Sequence, residues 1–270
     1  MHRSIANAPR SFSRARHWAA LSLLAAAQLC ALPVSAGEDD GESSWALGFG
    51  VMSEKTPYAG RSRETEVLPL LKYESEYLEI MGPGIAFKLP SLDLSDSQQL
   101  KFSIVAEYDG SGYEDDDADI LDGMHERKSG FWGGGRAVWS TEVLDLSTEW
   151  LGDLSGNSKG QRFGLGLERT WHVGNDIMIT PRLGATWYDK KYVDYYFGVR
   201  DDEVRSDRAA YTGKSSVNAK LGVRSLYMFD STHSVFVDVE ASSLGSNIKD
   251  SPLVDRSSQN NVTFGYFYSF

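Results

Sequence analysis

Residues 113–119, with the sequence YEDDDAD, carry a dense group of carboxylates. Carboxylate oxygens are the ligands that Ca²⁺ prefers, but an EF-hand loop also needs a glycine at its sixth position and a distal glutamate. This stretch has neither, so it is better explained as a solvated acidic loop. The sequence therefore predicts no metal site and no cofactor.

Covalent catalysis would need a nucleophile beside a general base. Beyond the amino-terminal leader described below, the chain has three histidines, His125, His172 and His233, each in or next to a predicted loop or turn. We also expect no Gly-x-Ser-x-Gly elbow in the chain. The sequence therefore predicts no catalytic residue and no enzyme.

The spacing that dominates the chain is the alternation of apolar and polar residues, which is typical of β-strands. In the first segment Trp45, Leu47, Phe49 and Val51 share one face. The segments are ~10 residues long, which is the length that a tilted strand needs to cross a bilayer. Glycines and charges of both signs fill the other face, as in a crowded barrel interior. Alternation alone also fits a β-sandwich.

The beginning of the chain favours a membrane barrel over a β-sandwich. Residues 1–36 combine four arginines with an apolar run from Ala19 to Leu32 and small residues before Ala36. This is the pattern of a signal peptide cleaved after Ala36, and the apolar run is too short for a spanning helix. Residues 37–44 form a short polar segment, and residues 45–270 are the predicted barrel. The formal net charge of −11 makes nucleic acid a poor partner.

The end of the chain also favours a barrel. Five apolar residues alternate on one face of the last ten: Val262, Phe264, Tyr266, Tyr268 and Phe270. An exposed edge of this kind would aggregate unless it were paired and faced lipid. The strand resembles the carboxy-terminal signal that the barrel-insertion machinery of bacterial outer membranes reads.

Counting strands tests this interpretation, because bacterial single-chain barrels have an even number. Eleven segments are clear, and dividing one of them at Gly82-Pro83-Gly84 makes twelve. The fold class is thus all-β, a transmembrane antiparallel up-and-down β-barrel of about 12 strands, with 10 as the alternative. With the last strand ending in the periplasm, the long loops, including residues 109–128 and 189–213, fall outside the cell.

The inward positions carry equal numbers of acidic and basic side chains. If the strands around residues 214–228 and 232–244 pair, one register places Arg224 opposite Asp238, and the other places Lys220 opposite Glu240. Either register predicts ion pairs in the lumen, whereas an ion-selective pore would be lined by charges of one sign.

The loop at residues 189–213 carries five aromatic residues among charges, which indicates either ligand contact or folding over the barrel mouth. It also resembles the YYGV motif of the MipA/OmpV family of outer-membrane proteins. The matching positions are Tyr195, Tyr196, Phe197, Gly198, Val199, Tyr211 and Gly213 in this loop, Pro57, Tyr58 and Gly60 after the first strand, Leu68 and Pro69 in the second, and Ser251 and Pro252 before the last.

The resemblance implies a scaffold in the outer membrane of a Gram-negative cell. The family's named member links a murein hydrolase to a peptidoglycan synthase, and other relatives are described as osmoregulated or adhesive. The partners implied are outer-membrane lipid, the barrel-insertion machinery, and a periplasmic murein hydrolase and synthase. A small-solute channel or an adhesin is the alternative. The family brings no catalytic residues.

Overall fold

The structure, a computed structural model, describes residues 43–270. The predicted signal peptide lies outside these residues and stays a prediction, and Ser44, the last residue of the predicted polar segment, already belongs to the first strand. The strands are β1 Ser44–Lys55, β2 Glu64–Glu74, β3 Leu78–Met81, β4 Gly84–Ser95, β5 Gln98–Asp109, β6 Gly130–Thr141, β7 Asp145–Asp153, β8 Gln161–Glu168, β9 Trp171–Val173, β10 Ile177–Tyr188, β11 Ser216–Met228, β12 His233–Ser243 and β13 Ser258–Ser269. Helices α1 Lys190–Phe197 and α2 Ser246–Lys249 and the 3₁₀-helix Asp201–Glu203 lie in loops.

The strands form one closed antiparallel barrel. Apart from β8 and β9, neighbouring strands along the chain pair with each other, and β13 returns to pair with β1 from Ala46↔Ser269 to Lys55↔Asn260. Strands β8 and β9 both pair with β10. They therefore occupy one position in the wall, interrupted at Arg169 and Thr170, and the barrel has twelve strand positions. Within residues 43–270, no helix is long and apolar enough to span a membrane.

The predicted division at Gly82-Pro83-Gly84 is confirmed, and it explains the even count. Gly82 adopts φ +54°, a left-handed conformation that favours glycine. Pro83 lacks a backbone N–H and occupies the turn between β3 and β4, where no ladder bond is required of it. The resulting β3 has only four residues and pairs with β2 through Lys72, Tyr73 and Glu74 alone.

Apolar side chains face outward, as the alternation predicts. Four residues of the terminal row, Val262, Phe264, Tyr268 and Phe270, are exposed on the outer surface. The fifth, Tyr266, is half-buried, and its hydroxyl lies 2.6 Å from Nδ1 of His233. The ring of Phe270 stacks on Trp45 with 4.0 Å between centroids, so the last residue is fixed against the first strand.

The connections differ at the two ends of the barrel. One end carries the chain terminus and five short turns, at residues 75–77, 96–97, 142–144, 174–176 and 229–232. The other end carries the turn at Gly82 and five longer loops, at residues 56–63, 110–129, 154–160, 189–215 and 244–257. Three of these loops contain the residues that resemble the family motifs, so the fold brings those residues to one end.

Candidate functional site

The loops at the long-loop end fold into the barrel mouth and fill it, forming what we call the mouth plug. Its buried members come from the loops and from the upper strands. They are Tyr58, Ala86, Val105, Tyr113, Leu121, Met124, Trp132, Leu151, Tyr188, Tyr192, Val193, Tyr196, Phe197, Val199, Leu244, Ile248 and Leu253. Of the two explanations open for residues 189–213, the geometry therefore favours folding over the mouth.

Helix α1 is the centre of the mouth plug. Asp189 caps its amino end, since the carboxylate accepts a hydrogen bond of 2.8 Å from the backbone N–H of Tyr192. Tyr192 and Tyr196, four residues apart, lie on one face of the helix and pack at 4.8 Å between ring centroids. The ring of Tyr192 also stacks on Tyr188 of the barrel wall at 4.4 Å. The helix is thus held inside the barrel by aromatic contacts.

The chain after α1 approaches the helix closely at Gly213. Its backbone N–H donates to Oδ1 of Asp194 at 2.7 Å. A Cβ atom at position 213 would lie 2.3 Å from the backbone nitrogen of Asp194, so only glycine fits there. This contact accounts for the glycine in the sequence motif.

The residues that resemble the family motifs contact one another across the mouth plug. The Tyr58 hydroxyl donates to the carbonyl oxygen of Tyr196 at 3.1 Å, and the Ser251 hydroxyl donates to that of Phe197 at 2.7 Å. Val199 and Tyr211 form a backbone bridge, with bonds of 2.8 and 3.0 Å. Three loops that are distant in sequence are thereby joined.

The remaining motif residues shape these loops. Gly60 adopts φ +75° in the turn after Tyr58. The backbone N–H of the neighbouring Ala59 donates to the carbonyl oxygen of Leu253 at 2.8 Å. Pro57 lies beside the mouth plug, and Pro252 lies between Ser251 and Leu253, which are both buried.

Two motif residues lie in or next to α1. The backbone N–H of Gly198 donates to the carbonyl oxygen of Asp194 and ends the helix. The Tyr195 hydroxyl accepts from the backbone N–H of Lys128 at 2.8 Å. The contacts of these positions shape and join the loops.

A buried ion pair that sequence reasoning missed covers the mouth plug. The Arg127 guanidinium donates to both carboxylate oxygens of Glu203 at 2.8 Å, and neither side chain is exposed by more than 1%. Arg127 also donates to the carbonyl oxygen of Tyr195 at 2.7 Å, so it ties residues 110–129 to α1. Burial by itself raises the pKa of Glu203, but hydrogen bonds from the Arg200 backbone and the Arg127 side chain hold the pKa below its usual value.

Three tyrosines of the mouth plug have raised pKa values. Burial raises the pKa of Tyr58, Tyr192 and Tyr196 well above the usual value for a phenol. The cavity among them has a volume of only about 30 Å³ and is lined by residues that include Tyr58, Arg61 and Asn218. It holds a few water molecules at most. No room for an organic ligand is present there.

Ion pairs fill the lumen below the mouth plug. Arg162 contacts Glu107 and donates to Asp109 at 2.5 Å, with its guanidinium 5.0 Å from the Trp132 ring centroid. Arg136 lies 2.6 Å from Glu149 on the neighbouring strand. Opposite charges therefore neutralise one another inside the wall.

The predicted pairs on β11 and β12 follow one of the two registers. Arg224 lies opposite Asp238 and donates to it at 2.8 Å. The same register places Lys220 opposite Ser242, so the alternative pairing of Lys220 with Glu240 was wrong. Glu240 instead lies 3.7 Å from Arg182, which also donates to Asp238 at 2.8 Å.

An apolar cluster fills the lumen at the end that carries the chain terminus, and we call it the lower cluster. Its buried members are Ala46, Leu70, Met81, Met178, Leu226, Phe236 and Phe267. The rings of Phe236 and Phe267 stack with 5.7 Å between centroids. The alternating pattern assigned lumen-facing positions to polar residues and missed these two phenylalanines.

The Gly-x-Ser-x-Gly pattern does occur, at residues 156–160, contrary to our expectation from the sequence. It connects two strands, β7 and β8, whereas a nucleophile elbow connects a strand to a helix. The Ser158 hydroxyl donates to Asp153 at 2.9 Å, and the same carboxylate accepts from the backbone N–H groups of Gly156 and Lys159. The pattern is a carboxylate-capped turn.

The acidic loop likewise has a structural contact. Asp117 lies 3.2 Å from Arg61 in the loop after β1. Across residues 43–270, three or more His, Cys, Asp or Glu side chains nowhere converge in a way that would hold a metal ion.

Comparison with known proteins identifies the family. The family model described as MltA-interacting protein MipA matches residues 47–270. The outer-membrane protein YiaT of Escherichia coli K12 is 27% identical over 260 residues, which cover 90% of this chain and 96% of the relative. The MltA-interacting protein of the same organism is 28% identical over 256 residues, 93% of this chain and 99% of the relative.

Among solved structures, the outer-membrane channel COG4313 of Pseudomonas putida F1 is 13% identical with a TM-score of 0.44, over 89% of this chain and 97% of the channel. The closed barrel and the named relatives make this an outer-membrane protein. The chain belongs to the MltA-interacting protein MipA family.

Proposed function

We propose that this protein is a closed outer-membrane scaffold that holds a murein hydrolase and a peptidoglycan synthase near each other in the periplasm. The observation that carries the proposal is the filling of the lumen at three levels: the mouth plug, the ion pairs around Arg162 and Asp238, and the lower cluster. A barrel that passes solutes needs a continuous polar path. The aromatic and apolar layers at the two ends oppose such a path.

The choice of partner comes from the family. A relative that is 28% identical is named for its interaction with MltA. Binding of a murein hydrolase by this chain is therefore the first interaction to test, and the synthase is the second. Outer-membrane lipid surrounds the exposed apolar face, and the terminal row at β13 is the segment that we propose the barrel-insertion machinery reads.

Conductance and binding together test the proposal. Purified full-length protein in planar bilayers should give little or no steady current. A variant with Tyr192→Ala, Tyr196→Ala and Phe197→Ala, which empties the centre of the mouth plug, serves as the comparison. The purified protein should bind an MltA-type murein hydrolase from the same bacterium in a pull-down between purified components. A reproducible ion-selective current from the unmodified protein, with no hydrolase binding, would favour the channel alternative.

A further inference from the structure

The shortness of β3 leaves part of the neighbouring strand unpaired. Strand β3 pairs with β4 only from Met81↔Gly84 to Leu78↔Phe87. One more backbone bond follows, from the N–H of Lys88 to the carbonyl oxygen of Tyr77 at 2.9 Å. Strand β4 then continues to Ser95, paired with β5 on its other side alone. In the part of the chain that the structure describes, residues 89–95 therefore have one edge without a strand partner.

This unpaired edge belongs in water. Unpaired backbone N–H and C=O groups are too costly to place in hydrocarbon, where no solvent can satisfy them. The edge lies at the end of the barrel that carries the chain terminus, which is the periplasmic end in a single-chain bacterial barrel. Residues 89–95 thus extend the wall into the space where murein enzymes work.

The same residues expose an apolar row. Leu89, Leu92 and Leu94 have exposed fractions of 44, 54 and 56%. Pro90 and register shifts between Leu89 and Leu92 and between Asp93 and Ser95 interrupt the ladder. Such interruptions limit uncontrolled edge pairing. Leu92 and Asp93, between the two interruptions, remain in regular pairing with β5, and the free backbone on their other side is where an added segment would bond.

The end of the strand that carries this edge is acidic. Asp93 and Asp96, with Glu142 on the next turn, line a shallow surface pocket on the side of β4 that faces β5 and β6. On the free side, Lys88 is already paired with Glu74 at 2.8 Å. An added strand would meet leucines at alternate positions and carboxylates beside them. The complementary ligand is an extended segment that alternates apolar residues with lysine or arginine.

We propose that residues 89–95 of β4, which we call the β4 edge, are a docking site for an extended apolar and basic segment of a periplasmic protein partner, bound by strand addition. The inference rests on the proposed scaffold function and names the surface through which it acts. The segment hydrogen-bonds along the free backbone, its apolar side chains cover Leu92 and Leu94, and its basic side chains meet Asp93 and Asp96.

Substitution of the leucines tests the β4 edge. The affinity of the full-length protein for the purified MltA-type hydrolase is measured for the unmodified chain, for the double variant Leu92→Ser with Leu94→Ser, and for Val143→Ser. Val143 is 60% exposed on a neighbouring turn at the same end, so it is the matched control. We expect the double variant to bind about tenfold more weakly or worse, and the control to bind like the unmodified chain. Heat-dependent mobility on gels verifies that each variant forms a barrel.

A photo-cross-linker provides a readout that does not depend on the folding of the leucine variants. It is placed at Ser95 in one chain and, as control, at Ser231, which is exposed on another turn of the same end. Cross-linking to the hydrolase from Ser95 and not from Ser231 supports the β4 edge. If the unmodified chain binds hydrolase but the double variant binds equally, or if Ser95 cross-links only to a second copy of this chain, the inference is overturned. If the unmodified chain does not bind hydrolase at all, the proposed function itself fails.

Discussion

The hydroxyl of Tyr58 donates a hydrogen bond of 3.1 Å to the carbonyl oxygen of Tyr196, and so joins the loop after the first strand to a helix 138 positions later. The Tyr58 ring lies between those of Tyr113 and Phe197, at centroid distances of 5.1 and 5.6 Å. One residue therefore connects three of the loops that fill the barrel mouth.

Substitution of Tyr58 by phenylalanine should loosen the mouth plug without emptying it. The change removes the hydrogen bond and keeps the ring, so the expected cost is about 1 kcal/mol. Amide hydrogen exchange at Val199 and Tyr211 should become roughly fivefold faster, which is the population change for that free energy. The control is Tyr77→Phe, because Tyr77 is 67% exposed on a turn at the other end. Equal exchange rates in the two variants would contradict the role of Tyr58.

Replacing Glu203 by glutamine should detach the loop that contains it. The change leaves Arg127 buried with its charge uncompensated, which typically costs 3–5 kcal/mol. Trypsin should then cleave after Arg200 or Arg205 in the folded barrel. Asp207→Asn is the control, since Asp207 lies on the surface and pairs with the nearby Arg205. Resistance to trypsin in both variants would show that the pair does not hold the loop.

The same ion pair gives the loop a pH dependence with a defined sign. The pKa of Glu203 is lowered from 4.5 in the folded protein. Its contribution to stability is therefore complete above the unfolded value and is lost as the pH falls through the lower, folded value. Proteolysis with pepsin should show the loop opening below pH 4.5 in the unmodified chain, and Glu203→Gln should show no such transition. A loop that opens on raising the pH from neutrality would reverse the sign and refute the assignment.

Deletion of Phe270 should reduce the amount of barrel in the outer membrane. The ring stacks on Trp45, and the backbone N–H donates to the carbonyl oxygen of Trp45 at 3.1 Å, so the deletion removes the last contact that closes β13 on β1. Immunoblots of membrane fractions should show less protein and faster periplasmic degradation. Phe270→Tyr preserves the ring and should accumulate normally. Equal levels of the deletion and the unmodified chain would argue against a role in assembly.

The orientation of the barrel can be tested with a single cysteine. The only cysteine, Cys30, lies in the predicted signal peptide, so the mature chain is expected to have none. Asp202→Cys, at an exposed position over the mouth plug, should react with an impermeant maleimide on whole cells. Asp96→Cys, on a turn at the opposite end, should react only after the envelope is broken. The opposite labelling pattern would invert the topology.

The alternating pattern, together with the signal-peptide pattern and the terminal row, was sufficient to predict the barrel. The strand number of twelve also needed the turn residues at Gly82-Pro83-Gly84 and the rule that such barrels have an even number of strands. It could not assign Phe236 and Phe267, because alternation separates two faces but does not show that one of them meets an apolar cluster instead of water. The ion pair of Arg127 and Glu203 could not be predicted from the sequence either. Its partners lie 76 positions apart on loops whose paths depend on tertiary packing.

Helix α1 illustrates a signal that was available in the sequence. Asp189 stands at a capping position, and Tyr192 and Tyr196 have helical spacing, but eight residues are too few for the pattern to stand out within a loop.

In the lumen, the sequence limited the pairing of β11 with β12 to two registers. The choice between them depends on where the hairpin turn begins, and local turn geometry decides that.

The backbone bridge between Tyr58 and Val254 lies at the seam where the barrel closes. The two residues follow the first strand and precede the last, so the pairing of β13 with β1 is what brings them near each other. Contacts between such distant parts of a chain form late, because the entropy of closing the intervening loop must be offset first. We therefore expect the mouth plug to be completed after the barrel has closed. A chain stalled during insertion would keep these loops accessible to proteases, which would allow the cell to distinguish it from the finished protein.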